Sequence, residues 1–573
     1  MCGILSVVST NLDNKKSNID NILDTLSSRG PDGRGLISFN KCTLGHQRLS
    51  IIDLDSGNQP MISGDFSISF NGEIYNYKEI KKELIDFGFI FNTESDTEVI
   101  LKAFEKWGEH CVPKLDGMFA FVIWDNKKEE LFFARDRLGQ KPLFYYQNGN
   151  DFYMCSEIKA ILNIENIKPK LDFKSLDNYL RIMYIPPWKT VYKNIKQVPP
   201  AHYGFFRNNS VNLKRYWKLK YRPLDISYEE AKNKVHDLLV RAIKKRLVSS
   251  DVEVGTFLSG GVDSSLVSII ASKLSGNCIK TFCVSYPDHD ELPFAKEVAE
   301  KIKSQVESIE INPEDLEDLE DIIKYFDEPH ADTSDFPQHL ISKKASEKVK
   351  VIISGDGADE LFLGYKWHLK KQESFFDNRI KNICSFNKEL RSKLWGGTNN
   401  LSDDIFAEDV YEGLDDIRKM MVFDMTSHLP GQILTKIDRT GMMHGLEVRS
   451  PFLDTELIEY VFNLPYEYKI NERGQKIILR DILSEYTNKD FAFRKKQGFG
   501  SPIWNWLNKD GIKRYVYTKL NETTLLNNFL NKEEIGKVLK DFYEVEDKHE
   551  RSAQRLWVLL CLEIWLENNK KYL

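Results

Sequence analysis

The sequence has no Cys-x-x-Cys pair, no surplus of basic charge and no apolar run long enough to cross a bilayer, and each absence removes a class of protein. Its eight cysteines, Cys2, Cys42, Cys111, Cys155, Cys278, Cys283, Cys384 and Cys561, stand singly and apart from any histidine cluster. Neither a zinc site nor a disulfide framework is expected from them, and unpaired thiols fit a reducing compartment. A formal net charge of −6 argues against a nucleic-acid partner. The late apolar run Leu556–Leu562 falls far short of the roughly 18 to 20 residues that span a membrane. The start, MCGILSVVST, has no basic region and too short an apolar stretch for a secretory leader. A cytoplasmic location with no membrane partner is the expectation. What is present is a globular composition, 41% hydrophobic and 12% aromatic, over 573 residues. That length calls for two or more domains.

The chain is organised around Val254–Ser265, VGTFLSGGVDSS. An apolar strand runs into Gly260 and Gly261, flanked by Ser259 and Ser264, and a helix follows. Glycines at such a junction let main-chain N–H groups and the positive end of a helix converge on an anion. Asp263 at the mouth could hold a divalent cation against the same phosphates. The Gly-Lys-Ser/Thr ending of a Walker loop is missing, and a plain strand–helix linker is the competing reading. A second string, SGDGADELFLGY at Ser354–Tyr365, follows the apolar strand VII. There Gly355 and Gly357 permit a tight turn, and Asp356, Asp359 and Glu360 gather at one sheet edge. Carboxylates beside a phosphate chain require a cation, so magnesium is implied; alone, the string would be a turn with solvated acids.

At the other end, Cys2 and Gly3 directly follow Met1. Removal of Met1 would give Cys2 a free α-amine titrating near pH 8, able to act as base for its own thiol. A semi-buried cysteine opening a strand is the alternative. HQRLSIIDL places Arg48, whose fork could clamp a carboxylate, beside a strand. NGEIYNY at Asn71–Tyr77 offers an amide, a glycine N–H and a carboxylate together, two for an oxyanion and one for an ammonium. Asp96 opens a helix in SDTEVIL, where it could equally be an ordinary cap.

Cys2-Gly3-Ile4, Arg48-Leu49-Ser50, Asn71-Gly72-Glu73 and Ser95-Asp96-Thr97 together resemble the class II glutamine amidotransferase domain, an N-terminal nucleophile fold. The resemblance implies that Cys2 attacks a glutamine amide, with Asn71 and Gly72 as the oxyanion site. Arg48 would bind the α-carboxylate, Glu73 and Asp96 the α-ammonium, and Leu49, Ser50, Ile51 and Ile52 would line the same pocket. Phe119–Asp125, Glu130–Tyr146 and Phe152–Leu162 read as strands with tight turns, with Arg135 and Arg137 as structural anchors.

After about residue 225, helices alternate with apolar strands, which predicts a doubly wound parallel sheet with its site at the strand C-termini. The expected division is 2–210 and 220–573: an αββα sandwich, then an α/β domain with extra C-terminal helices. Within the helical stripe Asn233–Val248, the run Lys244-Lys245-Arg246 reads as a solvated last turn. The stretch Asp327–Ala345 fits either an acceptor pocket or a helix cap, and His330 and His339 lack metal-ligand partners. The terminal RLWVLLCLEIWL reads as a buried core helix.

The SGGVDSS loop is similar to that of ATP pyrophosphatases. With LPGQILTKIDRTGMMHGLEVRSPFLD and GQKIILRDIL it resembles the C-terminal half of glutamine-dependent asparagine synthetases. The resemblance, over nearly the whole chain, implies ATP contacts at Leu258, Ser259, Gly260, Gly261, Asp263, Ser264, Val284, Ser354 and Gly355. It further implies magnesium at Asp263 and Asp359, an effect of Asp356 on the intermediate, and a lysine near the phosphates at Lys476. Glutamine, ATP and aspartate are the implied substrates, and a homodimer is kept open. Two departures, Asp356 where the best-known synthetases carry glutamate and Gly441 with His444 where a small serine or alanine is usual, leave the acceptor open between aspartate and another carboxylate such as a sugar acid. A scaffold that has lost catalysis is the other class of reading; it has no need of Cys2, SGGVDSS and Lys476 together.

Overall fold

The computed structural model describes residues 1–12, 15–276, 278–287, 291–312, 318–369, 374–397, 400–407, 410–495, 501–522, 524–545 and 550–573. Short alternating runs before residue 216 pair into two antiparallel sheets. Their strands in chain order are β1 (Gly3–Val8), β2 (Gly33–Ser38), β3 (Cys42–Arg48), β4 (Met61–Ser63), β5 (Phe66–Ile74) and β6 (Gly117–Asp125). They continue with β7 (Glu130–Arg135), β8 (Phe144–Asn148), β9 (Asp151–Cys155), β10 (Ile195–Gln197), β11 (His202–Arg207) and β12 (Ser210–Arg215). The first sheet has the order β10-β8-β9-β1-β3-β2 and the second β12-β11-β7-β6-β5-β4. Ile4 and Leu44 of one sheet pack against Val122 and Phe133 of the other in one apolar layer. Helices Tyr77–Asp86 and Asp96–Trp107 bury Ile80, Leu84 and Val99 on the outside of the second sheet. Lys16–Asp24 and Phe173–Ile182 do the same for the first with Ile22 and Leu180. The result is the expected αββα sandwich. One segment differs: Phe152–Leu162 is a strand only to Cys155 and a helix over Ile158–Leu162, where alternation stops.

Beyond residue 250 come β13 (Val254–Phe257), β14 (Lys280–Ser285), β15 (Val306–Glu310), β16 (Val351–Ile353) and β17 (Glu447–Arg449). All four of their pairings are parallel, in the order β15-β14-β13-β16-β17. The strand order reverses at β13, so the crevice between the ends of β13 and β16 is the topological switch point, where such sheets bind ligands. The helix Tyr228–Val248 starts on a Ser227/Glu230 capping box and buries Val235, Leu238, Leu239, Ala242 and Ile243 as its stripe predicts.

Its last turn corrects the sequence reading. Lys245 bonds Asp116 at 2.6 Å and Asp454 at 3.0 Å, and Arg246 is buried over the Tyr75 ring. Only Lys244 of the three is exposed. Charge runs look solvated in sequence, but here an acid from each half, Asp116 and Asp454, meets this one. The C-terminal helix Glu550–Asn568 is buried over most of its length, and it joins Leu176, Tyr179 and Leu180 of the sandwich in one core. None of the eight cysteines is joined in a disulfide. Among the described residues no helix is long and apolar enough to cross a membrane.

Candidate active sites

Cys2 stands at the head of β1 in the first sheet, facing β5 of the second. Its backbone N donates to Asn71 Oδ1 at 2.8 Å, and its thiol has only a distant contact, 3.9 Å, to the Leu49 carbonyl. Burial raises the thiol pKa above its ordinary value. Asn71 is fully buried, and its Nδ2 has no hydrogen-bond partner, leaving one amide donor available beside the sulfur. Gly72 has φ +150°, and a Cβ there would stand 2.1 Å from the Met118 carbonyl, so no side chain fits beside this donor. Met1 is buried among Leu49, Ile51, Val351 and Met442, with its amine 3.2 Å from Glu447 of β17.

The carboxylates expected to hold an ammonium lie alongside. Glu73 Oε2 accepts from Arg449 at 2.8 Å, while Oε1 is buried without a partner. Burial holds its pKa well above the usual range, against the opposing pull of Arg449. Asp96 accepts from the Ile74 N–H at 3.0 Å, and burial pushes its pKa up to about 7. The helix cap at this point is Ser95, whose side chain accepts from Thr97 N, so Asp96 is not the cap. Arg48 is turned onto its own loop. It donates to the carbonyls of Ile52, Asp53 and Leu54 and to Asn58 Oδ1. Ser50 N donates to Asp32 at 2.8 Å, and Leu49 and Ile51 are buried beside Met1. Arg135 and Arg137 bond loop carbonyls, as anchors should.

At the switch point the loop after β13 bends through Gly260, φ +72°, where a Cβ would lie 2.6 Å from Phe294 Cβ. Ser259 Oγ accepts from Gly261 N at 3.2 Å and meets Ser264 Oγ at 3.1 Å. Leu258 N donates to Phe282 O at 2.8 Å, next to buried Val284 on β14. The loop after β16 closes onto the first: a Cβ on Gly355 would stand 2.9 Å from Asp263 Cβ. Asp263 Oδ1 is buried without a partner, and Ser354 lies beside Asp356. Lys476, 2% exposed and at φ +55°, reaches between the loops to Asp263 at 2.5 Å and Asp359 at 2.7 Å. Burial works against its charge, but the two carboxylates outweigh it and its pKa is raised. Burial raises the pKa of Asp356, opposed by Lys436.

Lys436 belongs to a cluster the sequence left undivided. From the helix Leu434–Met442 it donates to Ser334 Oγ at 2.7 Å and lies 3.4 Å from Asp332. His330 pairs with Asp335 at 2.7 Å, and His339 with His444 at 3.3 Å. Sequence reasoning passed over Lys436, Asp438, Arg449 and Arg29. The signal was a charged Lys-x-Asp-Arg set inside an apolar helix, a pattern that demands buried partners. Between the two sites runs a narrow cavity lined by Met1, Leu434, Ile437, Val448, Leu453 and Ser354 among others.

Comparison with known proteins places both halves in families. A family model described as glutamine amidotransferase domain matches residues 1–217, and one described as asparagine synthase matches residues 234–567. Asparagine synthetase [glutamine-hydrolyzing] 3 of Bacillus subtilis (strain 168) is 33% identical, covering 94% of this chain and 93% of that one. Asparagine synthetase [glutamine-hydrolyzing] 1 of the same organism is 31% identical over 100% and 98%. With a family model over more than half its length, the chain belongs to the asparagine synthase family, preceded by a glutamine amidotransferase domain.

Proposed function

We propose that this protein is a glutamine-hydrolysing asparagine synthetase, divided at 2–210 and 220–573. The observation that carries the reading is one pair of opposed sites: a partner-poor thiol beside an unpartnered buried amide donor, and a glycine-lined switch point crossed by Lys476. Once Met1 is removed, the Cys2 amine takes the thiol proton, the sulfur attacks the glutamine amide, and the proton passes to the leaving nitrogen; water then hydrolyses the γ-glutamyl thioester to glutamate. Asn71 Nδ2 and the Gly72 N–H meet the oxyanion. The ammonia released enters the narrow cavity, where Leu434, Ile437, Val448 and Leu453 stand beside Gln140, Lys141, Asp438 and Ser450, and which shelters it from bulk water. At the far end Ser259, Gly260, Gly261 and Ser264 hold ATP phosphates on main-chain N–H groups, with Leu258, Val284, Ser354 and Gly355 around the nucleotide. The acceptor carboxylate becomes an adenylate, and Lys476 stabilises charge on the departing pyrophosphate. Ammonia then displaces AMP, and Asp356 with the Lys436 cluster faces the acceptor.

Asp263 and Asp359 fit magnesium. Both carboxylates reach the Lys476 ammonium, Asp263 Oδ1 is left without a partner, and magnesium is usually held by one or two carboxylates plus substrate phosphates. Among the described residues no larger ligand cluster exists. When bound, the ion would neutralise phosphate charge. Eight cysteines with no disulfide among them support the cytoplasm as location.

The test is an assay of the mature protein with glutamine, ATP and aspartate, scored for asparagine, AMP and pyrophosphate. Pyrophosphate formed only when another carboxylate, such as a sugar acid, replaces aspartate would move the acceptor. ADP in place of AMP would defeat the reading. A second expectation concerns pH. Asp96, with its pKa raised to about 7, loses its charge as pH falls through that value. If it holds the α-ammonium, the glutamine KM should rise about tenfold between pH 8 and pH 6. Asp96→Asn should flatten that dependence, and identical pH profiles for the two proteins would exclude the role.

A further inference from the structure

The nucleophile's main chain is held by an arginine of its own half, and that arginine is fixed by a residue of the other. Arg29 is fully buried, and its Nε donates to the Cys2 carbonyl at 3.0 Å. Its two remaining nitrogens form a parallel fork on Asp438, 2.8 and 2.9 Å, with a further bond to Glu157 at 2.8 Å. Such forks are the strong, geometrically demanding class of ion pair. Asp438 lies in the synthetase half, on the helix Leu434–Met442, two residues after Lys436. Residues two apart on a helix do not share a face. Lys436 accordingly grips Asp332 and Ser334 on one side, while Asp438 grips Arg29 on the other.

We propose that Asp438 is a positioning residue for glutamine hydrolysis, supplied by the synthetase half and acting through Arg29 on Cys2. This rests on the reading of Cys2 as nucleophile. Once Met1 is gone, Cys2 is a chain end, and chain ends wander unless tied down. Two polar ties hold it, Asn71 on its nitrogen and Arg29 on its carbonyl oxygen. A displacement of about 1 Å from the attacking geometry can cost on the order of a hundredfold in rate. Because the same helix carries Lys436, a shift at the acceptor cluster reaches the thiol through one rigid element.

The test uses the full-length mature protein and the variants Asp438→Asn and Asp438→Glu. Arg29 keeps Glu157 in both, so its charge is not stranded. Glutamate release is measured against glutamine concentration, and synthesis is measured separately with ammonium chloride. Asp438→Asn should lower the glutaminase kcat about tenfold or more, with KM and ammonia-dependent synthesis each within twofold of wild type. Asp438→Glu, which keeps the charge, should recover most of the loss, and it decides the matter by the same kcat-against-KM split if the asparagine variant is insoluble. A glutaminase kcat within twofold of wild type in the asparagine variant overturns the proposal. So does a parallel fall in ammonia-dependent synthesis, or an equal loss in both variants. Wild-type protein with a free Cys2 that released no glutamate would instead remove the underlying reading, and this inference with it.

Discussion

Cys2→Ala is expected to abolish glutamine hydrolysis, a fall of at least about 10⁴-fold, while ammonia-dependent synthesis stays within twofold of wild type. The sulfur makes no bond the fold depends on, its nearest partner being the Leu49 carbonyl at 3.9 Å. Replacing a small buried thiol by a methyl therefore disturbs little. The structural ties at this position run through the backbone, to Asn71 and Arg29, and alanine keeps both. The far site draws its groups from the β13 and β16 loops and from Lys476, none of which touches the sulfur. Glutamate release and ammonia-supported pyrophosphate release, measured on one folded sample, separate the outcomes. Loss of both would mean that the thiol serves the synthetase site as well, contrary to the division of labour proposed above.

Lys476→Met carries the second large effect, in the opposite half. Synthesis, from glutamine or ammonia, should fall roughly 10²- to 10³-fold or more, the usual cost of deleting a preorganised charge from a phosphate-transfer site. Glutaminase activity should remain within twofold. Methionine preserves the length and burial of the side chain but leaves Asp263 and Asp359 facing each other without their shared cation. The lysine backbone lies in the left-handed region, which costs an L-residue about 1–2 kcal/mol. That strain is tolerated at a position where the ammonium must reach between two loops. Synthetic activity within tenfold of wild type would show that Lys476 is a structural bridge between the carboxylates and has no part in the chemistry.

Both architectures were legible because their periodicities differ. Strand alternation before residue 216 gave way to apolar strands alternating with helices after 250, and glycine strings marked where the parallel strands end. The dipeptide Asn71-Gly72 and the string SGGVDSS stood out as candidate sites because their chemistry is local, a few residues presenting several donors at once. What could not be read was pairing across the halves. Nothing in the neighbourhood of Arg449 announces Glu73, 376 positions away, and nothing near Arg246 shows that it will be buried over Tyr75. Arg48 illustrates the same limit at short range. A guanidinium's fork is visible in sequence, but which acceptors close around it depends on where the 52–58 loop turns. The strand β17 was also missed, being only Glu447–Arg449 and charged at both ends, with buried partners for both charges.

The core shared by the helix Glu550–Asn568 and the sandwich helix Phe173–Ile182 has a consequence for how the molecule is made. Tyr179 donates to the Val558 carbonyl, 379 positions later, and Tyr192 packs on Trp565, so a segment made much later covers an apolar face of the first half. At about 5 to 20 residues per second that face waits roughly 20 to 75 seconds for its cover. During translation the nascent sandwich is thus an open, sticky intermediate, and a chain cut short before that helix would be prone to clump.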